Sequence, residues 1–253
     1  MADERLKRKI QARAINVEAF SLRLNRFLSN RLESLTERLQ DGEPEAFEAA
    51  QILGSLQTEL VRGGLEEVTQ DLNAAYADEL AAIASQLSQY EEELFSDIDV
   101  DVIEELINFD VSQVTQLAQQ YVGDMRSQLM RQVLAGETPD IAAMINNITG
   151  SLESNLKTEL DTLLAGFSRS VLVGKSKDLG FELFIYLGPD DEVTRPFCER
   201  LLDRDPPIYT ADEIEEMDNE QGLSVMTYGG GYNCRHEWSP ISEEDAIERG
   251  YEP

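Results

Sequence analysis

Three side chains in this sequence are suited to soft metal ligation or thiol chemistry, and they lie close together. The only two cysteines, Cys198 and Cys234, and the only histidine, His236, fall within 39 of 253 residues. Thiolate and imidazole are both good zinc ligands. In an extended segment, residues two apart point to the same side. Cys234 and His236 are therefore expected to converge, with Cys198 reaching the same point from a helix that follows Pro196. A tetrahedral site needs a fourth ligand, for which Asp190, Asp191, Asp203 or water are candidates. Three readings stand open: a structural metal site, a Cys198–Cys234 disulfide, or buried thiols beside a hydrogen-bonded His236. A metal staple suits a unit of about 75 residues with a small core. A disulfide suits a particle released outside cells rather than a reducing cytosol. Nucleophilic catalysis is not expected, because it needs a thiolate, a histidine and an orienting group in mutual reach, which the i, i+2 spacing does not supply.

The elements that must position this trio begin near residue 180. Phe181–Leu187 reads as a half-buried strand, rich in aromatic and apolar residues. Six of the eight prolines lie beyond residue 188, consistent with short strands and helices. Thr210 and Glu213 have the spacing of a capping box, predicting a helix over 211–218. Tyr228-Gly229-Gly230-Gly231-Tyr232 resembles a phosphate cradle, but no helix start follows it, so a hairpin or a loop packed closely against its neighbours is expected. Gly174–Gly180 reads as a polar hinge. Its Gly-Lys-Ser lacks the earlier glycine of a phosphate loop, since position 169 is Arg169.

Upstream the pattern is helical. Ile10, Ala14, Val17, Ser21, Leu24, Leu28, Leu32, Leu35 and Leu39 recur in steps of four or three, the rhythm of a coiled coil. A second helix is marked by Phe47, Ala50, Leu53, Leu56 and Leu60. A third carries Val68, Leu72, Tyr76, Leu80, Ile83, Leu87 and Tyr90. A short acidic element over 97–110 precedes another helix marked by Val114, Leu117, Tyr121, Met125 and Leu129. A long final helix runs from Ile141 through Leu156, Leu160 and Phe167. Asp97-Ile98-Asp99-Val100-Asp101 lacks the glycine and glutamate of a calcium loop and reads instead as an acidic helix start. The expected fold is mainly α: an elongated helical region over 1–175, of which 1–40 is a basic coiled-coil-like arm, and a small α+β module over 180–253.

Charge narrows the function. The chain carries 50 acids against 21 bases, a net of −29, which excludes gripping nucleic acid over a broad face. Residues 1–40 hold nine Lys and Arg against five acids, so this segment is +4 and the rest is −33; such asymmetry points to an arm with its own partner. No run approaches the roughly 20 apolar residues of a membrane span, and the first residues lack the apolar core of a secretory signal. A soluble protein made inside cells, without a membrane role, is expected.

Thr194-Arg195-Pro196-Phe197-Cys198-x-x-Leu201, Tyr209-Thr210-x-x-Glu213-Ile214 and Gly230-Gly231-Tyr232-Asn233-Cys234-Arg235-His236-x-Trp238-x-Pro240 together resemble the C-terminal module of phage minor head morphogenesis proteins, the Mu protein F-like family. The resemblance spans residues 188–241. The family pattern has Cys-x-x-Cys and a distal His-Pro-x-Cys-Arg-Cys; here Leu201 stands for the second cysteine and His236 for the last. The resemblance implies a non-enzymatic structural protein of the virion, made in the host cytoplasm and present in several copies. It would act at or near the portal vertex in head assembly or DNA delivery. Portal or capsid proteins are the implied partners, with scaffold or packaged DNA reached through residues 1–40. Zinc at Cys198, Cys234 and His236 is the one cofactor considered. A metal-dependent hydrolase or toxin-like effector is the alternative, and a cytosolic coiled-coil adaptor a third.

Overall fold

A computed structural model describes residues 2–40, 51, 54, 55, 58, 66–88, 90, 91, 94–135 and 141–252. The protein is mostly helical, with one small antiparallel sheet. Among the described residues four long helices come first: α1 (Ala2–Gln40), α2 (Glu66–Leu87), α3 (Asp97–Leu134) and α4 (Ile141–Asp178). After them come β1 (Leu183–Leu187), α5 (Pro196–Leu202), β2 (Ile208–Thr210), α6 (Ala211–Glu216), α7 (Val225–Tyr228), β3 (Glu237–Ile241) and α8 (Glu243–Glu248). The residues that mark the helix expected over 47–60 (Phe47, Ala50, Leu53, Leu56 and Leu60) lie outside the described residues. Among the described residues, no helix is long and apolar enough to cross a membrane.

The chain forms two compact units that do not follow chain order. One comprises Asn16–Ala74 and Ile107–Leu160. Its buried side chains include Val17, Phe20 and Leu24 on α1, Leu72 on α2, and Val114, Ala118, Val122, Met125 and Leu129 on α3. That last set recurs every three or four residues, which puts it on a single helix face. The two elements expected on either side of residue 110 are one continuous helix, because no glycine or proline interrupts Asp110–Val114. Arg23 pairs with Asp71 at 2.9 Å, and Lys157 with Glu18 at 2.8 Å.

The other unit comprises Met1–Ile15, Ala75–Leu106 and Asp161–Pro253. The boundary read from composition near residue 175 falls inside it. Within this unit every residue of α4 from Leu164 to Val173 is buried except the half-buried Ser170, the pattern of a helix enclosed by protein. Phe167 meets Tyr76 edge-on at 4.7 Å. The stretch read as a hinge is the end of this helix: it continues through Gly174 to Asp178 and stops at Gly180, whose φ of +83° suits glycine. The start of α3 is capped reciprocally. The Ser96 N–H donates to Asp99 Oδ2 at 2.7 Å, and the Asp99 N–H donates to Ser96 Oγ at 3.3 Å.

The sheet order is β2-β1-β3, with both pairings antiparallel. Central β1 is covered on both faces rather than one. Phe184 and Tyr186 join Trp238, Tyr209, Ile214 and both cysteines on one side. Leu183 and Ile185 meet Ile208, Ile241 and Ala246 on the other. Pro240 is tolerated because β3 is an edge strand. The expected capping box is present at α6: Thr210 Oγ1 accepts from the Glu213 N–H at 3.1 Å, and Glu213 Oε2 from the Thr210 N–H at 2.8 Å. The helix it starts ends at Glu216, two residues short of the expected 218.

Two bases of the N-terminal segment are spent inside this unit. Lys9 donates to Glu237 Oε2 at 2.7 Å, and Arg13 Nε to Glu79 Oε1 at 2.7 Å. All four side chains are buried. The buried face of α1 therefore runs through Leu6, Arg13, Val17, Phe20 and Leu24, and Ala14 of the expected seam is exposed. Burial of Lys9 and Arg13 requires such partners, because an unpaired charge inside protein is strongly disfavoured.

Candidate metal centre

Each member of the trio is delivered by a different local device. Cys198 sits in the first turn of α5, where Pro196 occupies an N-terminal position that needs no N–H. Cys234 follows a turn whose Asn233 has φ +55° and donates its N–H to Thr162 Oγ1 at 3.1 Å. His236 immediately precedes β3. Cys234 and His236 converge while the residue between them is directed elsewhere. Arg235 points outward to a two-toothed pair with Asp191, at 2.6 and 2.7 Å.

The three ligand atoms lie within 4.8 Å of one another, and all three residues are buried. Cys198 Sγ and Cys234 Sγ are 4.0 Å apart as free thiols, and Cys234 Sγ is 3.7 Å from His236 Nδ1. A tetrahedral zinc site with Zn–S of about 2.3 Å and Zn–N of about 2.0 Å has S–S edges of about 3.8 Å and S–N edges of about 3.5 Å. These two separations exceed those edges by a few tenths of an ångström, whereas the third, from Cys198 to His236, is held only within 4.8 Å. His236 Nε2, the ring nitrogen other than the one near Cys234 Sγ, is buried without a hydrogen-bond partner among the described residues. The donor set and its spacing thus fit a soft divalent metal. Of the candidate fourth ligands, Asp190, Asp191 and Asp203 are exposed and outside the cluster, and Asp191 is held by Arg235.

Residues that local sequence rhythm did not single out complete the enclosure. The Tyr186 hydroxyl, from the middle of β1, donates to Cys198 Sγ at 3.3 Å and lies 3.9 Å from Cys234 Sγ. Its ring stacks on His236, 5.1 Å between centroids and 8° between planes. The Gly230 N–H donates to Cys234 Sγ at 3.2 Å. Three glycines touch three ligands: a Cβ would stand 2.1 Å from His236 at Gly188, 2.9 Å from Cys234 Sγ at Gly229, and 2.3 Å from Cys198 Sγ at Gly230. The glycine run is a loop packed closely against its neighbours, one of the two outcomes its composition allowed.

Arg169, from the enclosed part of α4, holds the segment from behind. Its guanidinium donates to the carbonyls of His236 (2.7 Å), Thr227 (3.2 Å) and Cys234. It forms no ion pair with a carboxylate among the described residues. The one signal in the sequence is its isolation: Arg169 is the only charge in Thr162–Gly174.

The two thiols are driven apart in acidity. The hydrogen bond from Cys198 pulls Cys234 well below its usual value, and the Arg169 guanidinium and His236 reinforce this against burial. That same hydrogen bond, with burial, pushes Cys198 far up. Burial also raises the Tyr186 phenol. Cys234 is therefore the more acidic thiol of the pair, and Arg169 lies beside it as a buried cation.

The fold and site define a mostly helical protein with a small α+β module built around a buried Cys–Cys–His cluster. No protein-family profile, curated protein or solved structure matches the chain.

Proposed function

We propose that this chain is a structural minor head protein of a tailed bacteriophage, acting at or near the portal vertex in head assembly or DNA delivery. Its C-terminal module would be stapled by zinc at Cys198, Cys234 and His236. The resemblance of residues 188–241 to Mu F-like head proteins supports the first part of this reading. Enclosure of the cluster carries the second: its ligands are buried, glycines abut each of them, and Tyr186 covers both sulfurs. Structural zinc sites are closed, whereas catalytic ones keep a position open to substrate. Bound there, the metal supplies a cross-link between α5 and the segment before β3.

Three protein ligands is also the count of a catalytic zinc site, which favours the hydrolase alternative. Against it, no carboxylate among the described residues joins the cluster to act on a metal-bound water. Partners under the structural reading are portal or capsid proteins, with scaffold or packaged DNA as further partners of residues 1–40.

Mass spectrometry of purified virions and procapsids should find the protein at several copies per particle. Its absence from both would overturn the structural reading. Elemental analysis of the purified chain should find about one zinc per molecule, the expectation for a site with one ligand set.

A further inference from the structure

Beside the module lies a cavity of about 310 Å³ lined in part by three arginines, Arg13, Arg195 and Arg235. Such a convergence stands out in a chain of net charge −29. Two of the three are already matched by carboxylates. Arg13 Nε is bonded to Glu79 at 2.7 Å, and both terminal nitrogens of Arg235 are bonded to Asp191. Arg195 is different. It donates one hydrogen bond, to the Gly230 carbonyl at 3.3 Å, and forms no ion pair with a carboxylate among the described residues. A guanidinium carries five N–H donors, so Arg195 has unused donors and an uncompensated charge at the cavity wall. The one acid lining the same cavity is Asp161. Ile10 and Val193 give part of the wall an apolar character, and Val193 is 74 % exposed with nothing covering it.

We propose that this cavity binds a small oxyanion, a carboxylate or phosphate group attached to a short apolar body, with Arg195 as its anchoring cation. A planar guanidinium matches two oxygens of such a group by parallel charge-assisted hydrogen bonds. The apolar body lies against Ile10 and Val193. The volume is at the lower end for small-molecule sites, roughly 300–1,000 Å³, so the ligand is small. An extended polyanion is excluded, because the surrounding negative charge repels the phosphates that cannot enter. The cavity adjoins the metal centre, since Cys234 also lines it, but the inference needs neither bound metal nor any role in a phage head.

The test is calorimetric titration of the full-length chain at low salt with acetate, hexanoate and inorganic phosphate as probes. Hexanoate is expected to saturate and to bind about tenfold or more tighter than acetate, since each fully buried methylene is worth about fourfold. Phosphate distinguishes the head group: if it binds and acetate does not, the ligand is a phosphate monoester rather than a carboxylate. Arg195→Ala should abolish binding of every probe, and Asp161→Asn should tighten it several-fold by removing the one carboxylate on the wall. Arg204→Ala, an exposed arginine paired with Glu213, should leave it unchanged. Val193→Ser, at an exposed position that folding does not need, should weaken hexanoate alone. The proposal is overturned if no probe saturates below about 10 mM, weaker than most functional sites. It also fails if folded Arg195→Ala binds as the parent does, or if Asp161→Asn weakens binding.

Discussion

A methyl group on Gly230 Cα would stand 2.3 Å from the sulfur of Cys198. That approach lets the Gly230 N–H reach Cys234 Sγ at the same time, so one backbone unit sits against both thiols. The residue is glycine for lack of space, not for an unusual dihedral angle.

Gly230→Ala should therefore destabilise the protein by about 2–3 kcal/mol, the range for forcing extra volume into a packed interior. Gly174→Ala supplies the contrast. It lies in α4 with nothing within 4 Å of the added Cβ, so it should stabilise by about 0.5–1 kcal/mol through helix propensity. Urea unfolding of both variants checks the pair. Equal effects would mean that the glycine loop is not pressed against the sulfurs.

Zinc removal gives a second expectation. The metal-loaded protein should melt at lower temperature in chelator, and its stability should fall in acid as protons compete for the ligands. Cys198→Ser, Cys234→Ser and His236→Ala should each lose bound zinc. Asp191→Asn should retain it, because Asp191 is paired with Arg235 outside the cluster. Loss of zinc in Asp191→Asn would show that this carboxylate, not the trio alone, holds the ion.

What the sequence made legible is what short-range rules govern. The face of α2 through Leu72, Tyr76, Ile83 and Leu87 follows from helical spacing, and all four are buried. The capping box at Thr210 and Glu213 follows from four adjacent residues. Convergence of Cys234 with His236 follows from alternation along an extended segment. The misreadings came where composition stood in for geometry. Gly174–Gly180 looks like a linker, yet the helix continues because Val171–Val173 are buried and one interior glycine costs only about 1 kcal/mol. Lys9 and Arg13 counted toward a basic arm, although each has a buried glutamate partner more than 60 positions away. No local pattern announces Glu79 or Glu237 as those partners.

That buried network makes the response to acid predictable. Burial alone would raise the Glu79 carboxyl, but Arg13 and Lys9 more than reverse it and hold it below its ordinary 4.5. A carboxylate with a depressed folded-state pKa contributes stability that is present above its ordinary value and lost as pH falls below it. Glu79→Gln should remove that dependence, so stability should change less steeply with pH between roughly 3 and 5 than in the parent. It should also cost about 3–5 kcal/mol at neutral pH by leaving the Arg13 charge buried without a partner. Deleting residues 1–15 should likewise destabilise the C-terminal module, contrary to the idea of a detachable arm. Urea midpoints across this pH range decide it, and parallel curves for Glu79→Gln and parent would end the account.

Arg169 is the residue on which the candidate site leans most from a distance. A single buried guanidinium spans three carbonyls, two of them on the ligands Cys234 and His236. Lysine carries the same charge, but its compact ammonium cannot reproduce the planar fork that reaches three acceptors. Arg169→Lys should thus lose about 2–3 kcal/mol, the cost of one or two buried carbonyls left without a donor. Arg169→Met removes the charge as well. It should make Cys234 less acidic, because the guanidinium, after the hydrogen bond with Cys198, is among the groups that lower that thiol. Two readouts separate packing from electrostatics: hydrogen exchange should quicken over 227–236 in both variants, while the pH midpoint of the ultraviolet thiolate signal should rise chiefly in Arg169→Met. If Arg169→Lys matched the parent within about 0.5 kcal/mol, the ordinary scatter for neutral substitutions, three-carbonyl capture would not be what holds Cys234 and His236 in place.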